Sequence, residues 1–260
     1  MIKHRAMNVD LGLVNLVTSV VCEAGSQISR PWFWSPPGEV IQLLDSLYHQ
    51  VAFIQHKLNT SPVVLAKQAA REAELARLYR RINHLRDQVL HDATNYLVQL
   101  AVAWSCNVIV IEDLRHYQPV AGKGQLSREL SNWLRGEFHD LLVYKGARHG
   151  IVVKQVNPRG TSSYCPRCAV RGLKITDPAT KKVDEKGRFF HCPSCGFTAD
   201  RDYTGALNIY RVYRDCRSRG QRSRGIATCH PVSYTVTASR PTVLAAPRPH
   251  PVRAGGQGNK

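Results

Sequence analysis

The sequence predicts an α/β fold, a mixed sheet flanked by helices, with a small cysteine-rich insert near its end. Three observations predict it. A β-branched stretch at residues 8–21 and an apolar run at 107–111 read as strands, and long segments of helical periodicity lie between strand-like ones. Two C-x-x-C knuckles, Cys165-Pro-Arg-Cys168 and Cys192-Pro-Ser-Cys195, then interrupt the alternation just before a last helix.

Residues 8–21 are rich in Val and Leu, and Gly12 and Asn15 offer a tight turn between two short strands. The Trp32, Phe33 and Trp34 cluster sits among prolines and reads as an irregular or edge segment, either packed as core or stacking on bases. A helix is expected over residues 40–58, closed by Asn59-Thr60-Ser61-Pro62. From Leu65 to about Trp104 the chain reads as one long helix or two. Leu75, Leu78, Ile82, Leu85, Val89 and Leu97 form its apolar stripe. Arg71, Arg77, Arg80, Arg81 and Arg86 lie on or beside the other face, as a solvated surface or as phosphate contacts.

The run Asn107-Val108-Ile109-Val110-Ile111 is apolar at every position after Asn107, as a strand buried on both faces must be, and it ends in Glu112-Asp113. A Gly-containing loop at 121–125, a helix over about 128–148 and a strand at 151–156 come next, halted by Asn157-Pro158. These elements divide the chain into a core at 1–156, an insert at 157–199 and a final core helix at 200–215. A basic tail at 216–260, rich in Arg, Ser, Pro and Gly, reads as mostly disordered.

The charge balance narrows the partners. With 36 Lys and Arg against 19 Asp and Glu, the formal net charge is +17, which favours a polyanion, most simply nucleic acid; a merely basic surface is the plainer alternative. Four of the eight cysteines sit in the knuckles, while Cys22, Cys106, Cys216 and Cys229 are scattered. Asp10 interrupts the only early apolar stretch, and no apolar run is long enough to span a bilayer. A reducing, cytoplasmic setting with metal-bound thiolates is therefore expected, not a secreted disulfide scaffold.

Four thiolates at this spacing can close a tetrahedral shell around Zn²⁺, with Zn–S near ~2.3 Å. A closed shell leaves no open position, so the zinc is expected to be structural and to position the next segment of the chain. His191, beside Cys192, could substitute as a ligand, but four cysteines suffice. The next segment is Asp200-Arg201-Asp202-Tyr203-Thr204-Gly205-Ala206-Leu207-Asn208-Ile209. Three carboxylates stand where a sheet can gather them: Asp10 on the first strand, Glu112 at the end of the buried strand and Asp202 at the start of the last helix. A lone acid at a strand end is ordinarily a solvated acid; the joint placement is the signal. Such oxygens suit Mg²⁺ or Mn²⁺, and two ions about 3.5–4 Å apart could activate a water and stabilise the leaving oxygen of a phosphodiester.

The segments Asn8-Val-Asp-Leu-Gly12, Val108-Ile-Val-Ile-Glu-Asp-Leu114 and Asp200–Ile209 resemble the three motifs of a RuvC-type nuclease domain. With a four-cysteine module just ahead of the third motif, and Val156–Cys165 resembling the entry to that module, the chain resembles TnpB, the nuclease of bacterial insertion sequences related to the type V CRISPR effectors. The resemblance covers roughly residues 7–213. It implies an RNase H-like fold with an inserted zinc ribbon, and metal-dependent cleavage of DNA guided by an RNA. It assigns the triad to Asp10, Glu112 and Asp202, with Asp200 the competing third member, and the zinc to Cys165, Cys168, Cys192 and Cys195.

Two departures accompany the matches. Family members carry a large N-terminal portion that grips the guide RNA, whereas this chain begins a few residues before the first acidic motif. They also commonly have Asn-Ala where this chain has Thr204-Gly205, and a glycine there is expected to weaken the helix slightly. Two other readings stay open: a non-catalytic nucleic-acid-binding fragment from a decayed gene, and a zinc-ribbon protein of the transcription or translation machinery. The latter would have no need of Asp10 and Glu112.

Overall fold

The computed structural model describes residues 4–12, 15–60, 65–114 and 136–218. The expected loop at 121–125, the first part of the helix expected from 128, and the tail beyond Ser218 lie outside the described residues.

The first two strands are β1 (Arg5–Leu11) and β2 (Val17–Glu23), an antiparallel pair in which Asp10 faces Thr18 and Leu11 faces Val17. A Cβ on Gly12 would stand 2.7 Å from the Asn15 carbonyl oxygen, so the turn between them needs glycine. Two short strands extend β2: β3 (Ser26–Gln27) and β4 (Trp32–Trp34). On the other side of β1, β5 (Val108–Glu112) and then β6 (Val152–Val156) run parallel to it. The order β3-β2-β1-β5-β6, with β4 also paired to β2, is the mixed sheet that the alternation of elements predicts.

Helices cover both faces, which is why β5 is apolar at every position before its terminal Glu112. On one face lie α1 (Gly38–Thr60), α2 (Leu65–Ala103) and α3 (Glu137–Ala147). Their Leu44, Leu97, Phe138 and Leu142 pack with Met7, Val9, Ile109 and Ile111 of the strands. Each such fully buried side chain is worth about 1.5–3 kcal/mol of transfer free energy. The alternate side chains Ala6, Val108 and Val110 point to the other face, against Ile209 and Tyr213 of α4 (Arg201–Ser218). Asn8 and Asp10 follow the same alternation as Ala6.

The long periodic segment forms one helix of 39 residues. It ends where Ser105 turns to φ 52° and the Cys106 N–H reaches back to the Ala101 carbonyl oxygen, 2.8 Å away. Of its arginines, Arg77 pairs with Glu74, the largely buried Arg86 with Asp87 and Glu137, and Arg71 donates to the Lys57 carbonyl. The tryptophans of β4 pack on this helix and the turn just past it: Trp32 meets Trp104 edge-on at 5.3 Å between ring centres, and Trp34 stacks with Tyr96 at 6.4 Å. Packing, not base stacking, accounts for Trp32 and Trp34.

The insert folds as a separate antiparallel sheet in the order β7 (Leu173–Ile175), β8 (Phe189–His191), β9 (Thr198–Asp200). Its small core joins Phe190 and Phe197 to Cys165 and Cys192. β9 passes directly into α4, which extends to Ser218, three residues past the expected boundary at 215. Among the described residues no helix is long and apolar enough to cross a membrane.

Candidate active site and metal site

The parallel register that sets Val9 beside Ile111 brings Asp10 and Glu112 to the same end of neighbouring strands, although they lie a hundred residues apart in the chain. Both are nearly buried, at 7% and 8% exposure. Asp202 comes to them on the first turn of α4. The closeness of helix and strand is measured at Gly205: a Cβ there would lie 2.5 Å from Asp10 Oδ1. The glycine that departs from the family pattern is therefore the clearance that lets the Asp10 carboxylate lie against the helix. Any small helical cost of Gly205 is offset by that fit.

Burial pushes the Asp10 carboxyl well above the usual carboxylate range, and the charges of Glu112 and Asp202 push it further, against the pull of Arg201. Asp10 accepts no side-chain hydrogen bond from the described residues. Burial raises Glu112 to about 7, opposed by the Thr161 hydroxyl, which donates to Glu112 Oε1 at 2.5 Å. Asp202 is raised by burial and by Asp200, and lowered by Arg188, Asn15 and Arg201. Asn15 donates to Asp202 Oδ2 at 3.3 Å, and the Arg188 guanidinium stands 3.6 Å from the same oxygen. Three acids whose charged forms are all disfavoured share one place. Such a site is prepared for positive charge.

Asp200 has a different occupation. Its Oδ1 accepts the backbone N–H groups of Asp202 at 2.8 Å and Tyr203 at 3.4 Å, capping α4, and its Oδ2 accepts from Arg188 Nε at 2.9 Å. Thr204 is buried and donates to the Asp200 carbonyl at 2.8 Å.

The cysteines come together fully. Cys165 and Cys195 sulfurs are 3.5 Å apart and those of Cys168 and Cys192 are 3.4 Å apart. Among the described residues these four are the one group of three or more His, Cys, Asp or Glu side chains whose ligand atoms all lie within 4.8 Å of one another. They form a candidate zinc site. Burial pushes the Cys192 thiol up, but hydrogen bonds from the Cys195 and Ser194 backbone and from neighbouring thiols bring it down to about 7. His191 stands outside the group, its Nδ1 2.7 Å from the Thr198 hydroxyl across the β8–β9 pair.

The two centres are tied by one side chain. Asn208 Nδ2 donates to the carbonyls of Thr161 and Tyr164, each at 2.7 Å, so α4 grips the loop that enters the cysteine module. That loop carries Thr161 to Glu112. In the sequence Thr161 and Asn208 stand inside recognisable motifs and Asn15 in a turn, yet nothing local assigns them these contacts. Arg188 carries no sequence signal at all, because nothing in the linker between the knuckles marks it.

Fold and site together define an α/β protein with a buried carboxylate centre and a four-cysteine module leading into α4. A family model described as "Cas12f1-like, TNB domain" matches residues 136–209. A Cas12f1 CRISPR-associated endodeoxyribonuclease of Sulfoacidibacillus thermotolerans is 29% identical over 139 residues, 52% of this chain and 29% of that one. A TnpB-like protein of Methanocaldococcus jannaschii is 26% identical over 168 residues, 64% of this chain and 54% of that one. The fold is also that of a Cas12f1 chain solved by cryo-EM as a Cas12f1–sgRNA–target DNA complex, with a TM-score of 0.57 and 14% identity over 80% of this chain and 49% of that one. The chain belongs to the TnpB-like proteins related to the type V CRISPR effectors. It spans between about a third and a half of the length of these relatives.

Proposed function

We propose that this chain is the nuclease module of a TnpB-like, RNA-guided DNA endonuclease, with an RNase H-like fold of the RuvC type. The observation that carries the reading is the convergence of Asp10, Glu112 and Asp202, drawn from three distant segments, at the ends of parallel strands and the start of a helix. Their fit to a divalent cation is chemical. The donors are hard oxygens, Asp10 lacks a side-chain hydrogen-bond partner among the described residues, and burial disfavours every charged form until a cation offsets it. Asp10, Glu112 and Asp202 would hold Mg²⁺ or Mn²⁺, which when bound would activate a water and stabilise the leaving oxygen of a phosphodiester by the two-metal route.

The chain's own residues serve that centre by position. Thr161 orients Glu112 and favours its ionised form. Asn15 and Arg188 hold Asp202 through one oxygen, while Asp200 caps the helix beneath it. Cys165, Cys168, Cys192 and Cys195 would bind Zn²⁺ as a closed structural shell that fixes β9, and with it the first turn of α4. The net charge of +17 suits DNA as substrate and a guide RNA as partner, as in the complex of the Cas12f1 relative.

The test is cleavage of single-stranded DNA by the purified chain with Mg²⁺ or Mn²⁺. Wild type yields cleaved product only with the metal. Asp10→Ala lowers the rate at least about 100-fold, the scale on which one preorganised electrostatic group is felt, with an unchanged circular dichroism spectrum. Cleavage that survives Asp10→Ala, or never appears with a folded wild type, rejects this reading in favour of a non-catalytic nucleic-acid-binding protein.

A further inference from the structure

The first two strands of the main sheet carry three buried polar atoms with no hydrogen-bond partner among the described residues: Asn8 Oδ1, Thr18 Oγ1 and Ser19 Oγ. All three side chains are 0% exposed. An orphaned polar group in a sheet interior costs stability, so each one calls for a physical reason. The three differ in where they point and in what they can offer.

Ser19 lies opposite Val9 and shares its face, the one covered by α1, α2 and α3. By strand alternation Thr18 takes the other face, together with Val20 and Cys22, which pack on Ala206 of α4. That face holds Asp10. Asn8 shares it, but its Nδ2 already donates to the Ala6 and Val20 carbonyls, and its orphaned oxygen can only accept. A carboxylate needs a donor. Of the three orphans, Thr18 is the one that can serve Asp10.

The register puts the two side by side. Asp10 and Thr18 are cross-strand partners, and residues so paired have Cβ atoms about 4.5–5.5 Å apart. On its other side Thr18 is paired with Phe33 of β4, whose side chain has no acceptor. A hydroxyl is a free rotor with one proton to give, and the acceptor beside it in this row is the Asp10 carboxylate. Strand packing alone does not ask for the hydroxyl, since valine suits a buried strand position at least as well.

We infer that Thr18 is a positioning residue of the carboxylate centre: its hydroxyl donates to the Asp10 carboxylate, directly or through one water, and holds it in the orientation that binds the cation. The inference rests on the reading of Asp10, Glu112 and Asp202 as a Mg²⁺ or Mn²⁺ site. It gives Asp10 what Thr161 gives Glu112 and Asn15 gives Asp202, one neutral donor for each acid.

The experiment is a Mn²⁺ titration of the full chain, its cysteine module supplied with Zn²⁺, followed by the electron paramagnetic resonance signal of free Mn²⁺. Asp10→Ala sets the level of adventitious binding. Thr18→Val keeps the shape and removes the hydroxyl. It is expected to weaken Mn²⁺ binding about tenfold, the lower end of what losing a partner of a metal ligand costs. Thr18→Ser returns the hydroxyl and should bring the affinity back close to wild type. Ser19→Ala removes the orphaned hydroxyl of the other face and should leave Mn²⁺ binding unchanged. Without Mn²⁺, Thr18→Val should melt no lower than wild type, because an unpartnered buried hydroxyl has no hydrogen bond to lose. Wild-type Mn²⁺ affinity in Thr18→Val overturns the inference alone, as does an equal loss in Ser19→Ala or a serine that restores nothing. A wild type that binds no more Mn²⁺ than Asp10→Ala overturns the cation-site reading, and this inference with it.

Discussion

The molecule contains two centres of ligand-type side chains, and they are built in opposite ways. The four cysteine sulfurs lie within 4.8 Å of one another near the surface of a small sheet, with Cys168 and Cys195 exposed. The three carboxylates are buried or half-buried in the main sheet, are not drawn that close, and have their charged forms disfavoured by burial and by neighbouring acids. Soft donors in a closed group suit an ion that stays, while hard donors held apart suit ions that leave room for water and substrate. The difference teaches a division of labour. On the proposed reading the cysteine module holds a shape, and the carboxylate centre, whose charged forms burial disfavours, is where the chemistry occurs.

That contrast can be broken at several points. After Asp10→Ala, the largest effect should come from removing the zinc that the four cysteines would hold on the proposed reading. Strong chelation, or Cys192→Ser, should lower the melting temperature by several degrees or more, because structural zinc contributes about 10–16 kcal/mol in small zinc-finger peptides. Protease cuts should then concentrate between Cys165 and Ile209. Cleavage should fall although no carboxylate has changed. Equal protease resistance with and without chelator would make the module a passenger.

Next comes the pair of aspartates two residues apart. Asp202→Asn should abolish metal-dependent cleavage and leave the melting temperature near wild type. Asp200→Ala should cost about 1 kcal/mol of stability through the lost cap and retain most cleavage. The reverse pattern would move the third carboxylate to Asp200. A smaller effect is expected of Thr161→Val. Loss of its hydrogen bond removes an interaction that lowers the Glu112 pKa, so the acid limb of the pH–rate profile should move upward and the rate at pH 7 fall roughly several-fold. An unmoved limb would show that Thr161 only packs.

Much of this was legible in the sequence because the strongest signals are local. β5 is apolar from Val108 to Ile111 since both its faces are covered, and α2 repeats Leu78, Ile82 and Val89 at helical spacing because they share one stripe. The third motif was readable because Asp202 and Asn208 lie on one helix. The insert's strands were not legible: β7, β8 and β9 are three residues each, too short to show a period. Contacts across the fold were invisible as well. Thr161 meets Glu112 from 49 positions away, and Gly205 reads as a weak helix residue until the Asp10 carboxylate is seen beside it.

The central claim is that the buried carboxylates form a cation site, and stability against pH tests it most directly. Glu112 sits at about 7 in the folded chain against an ordinary value near 4.5. Its contribution to stability is therefore fully present below about 4.5 and is lost as pH rises through about 7. In chelator at concentrations that spare the zinc, wild type should lose a few kcal/mol relative to Glu112→Gln across that window, so that the variant melts higher at pH 8. Mn²⁺ at pH 8 should then raise the wild-type melting temperature and move the variant much less. An equal Mn²⁺ shift in both proteins, or curves that stay parallel from pH 4.5 to 8, would contradict the account.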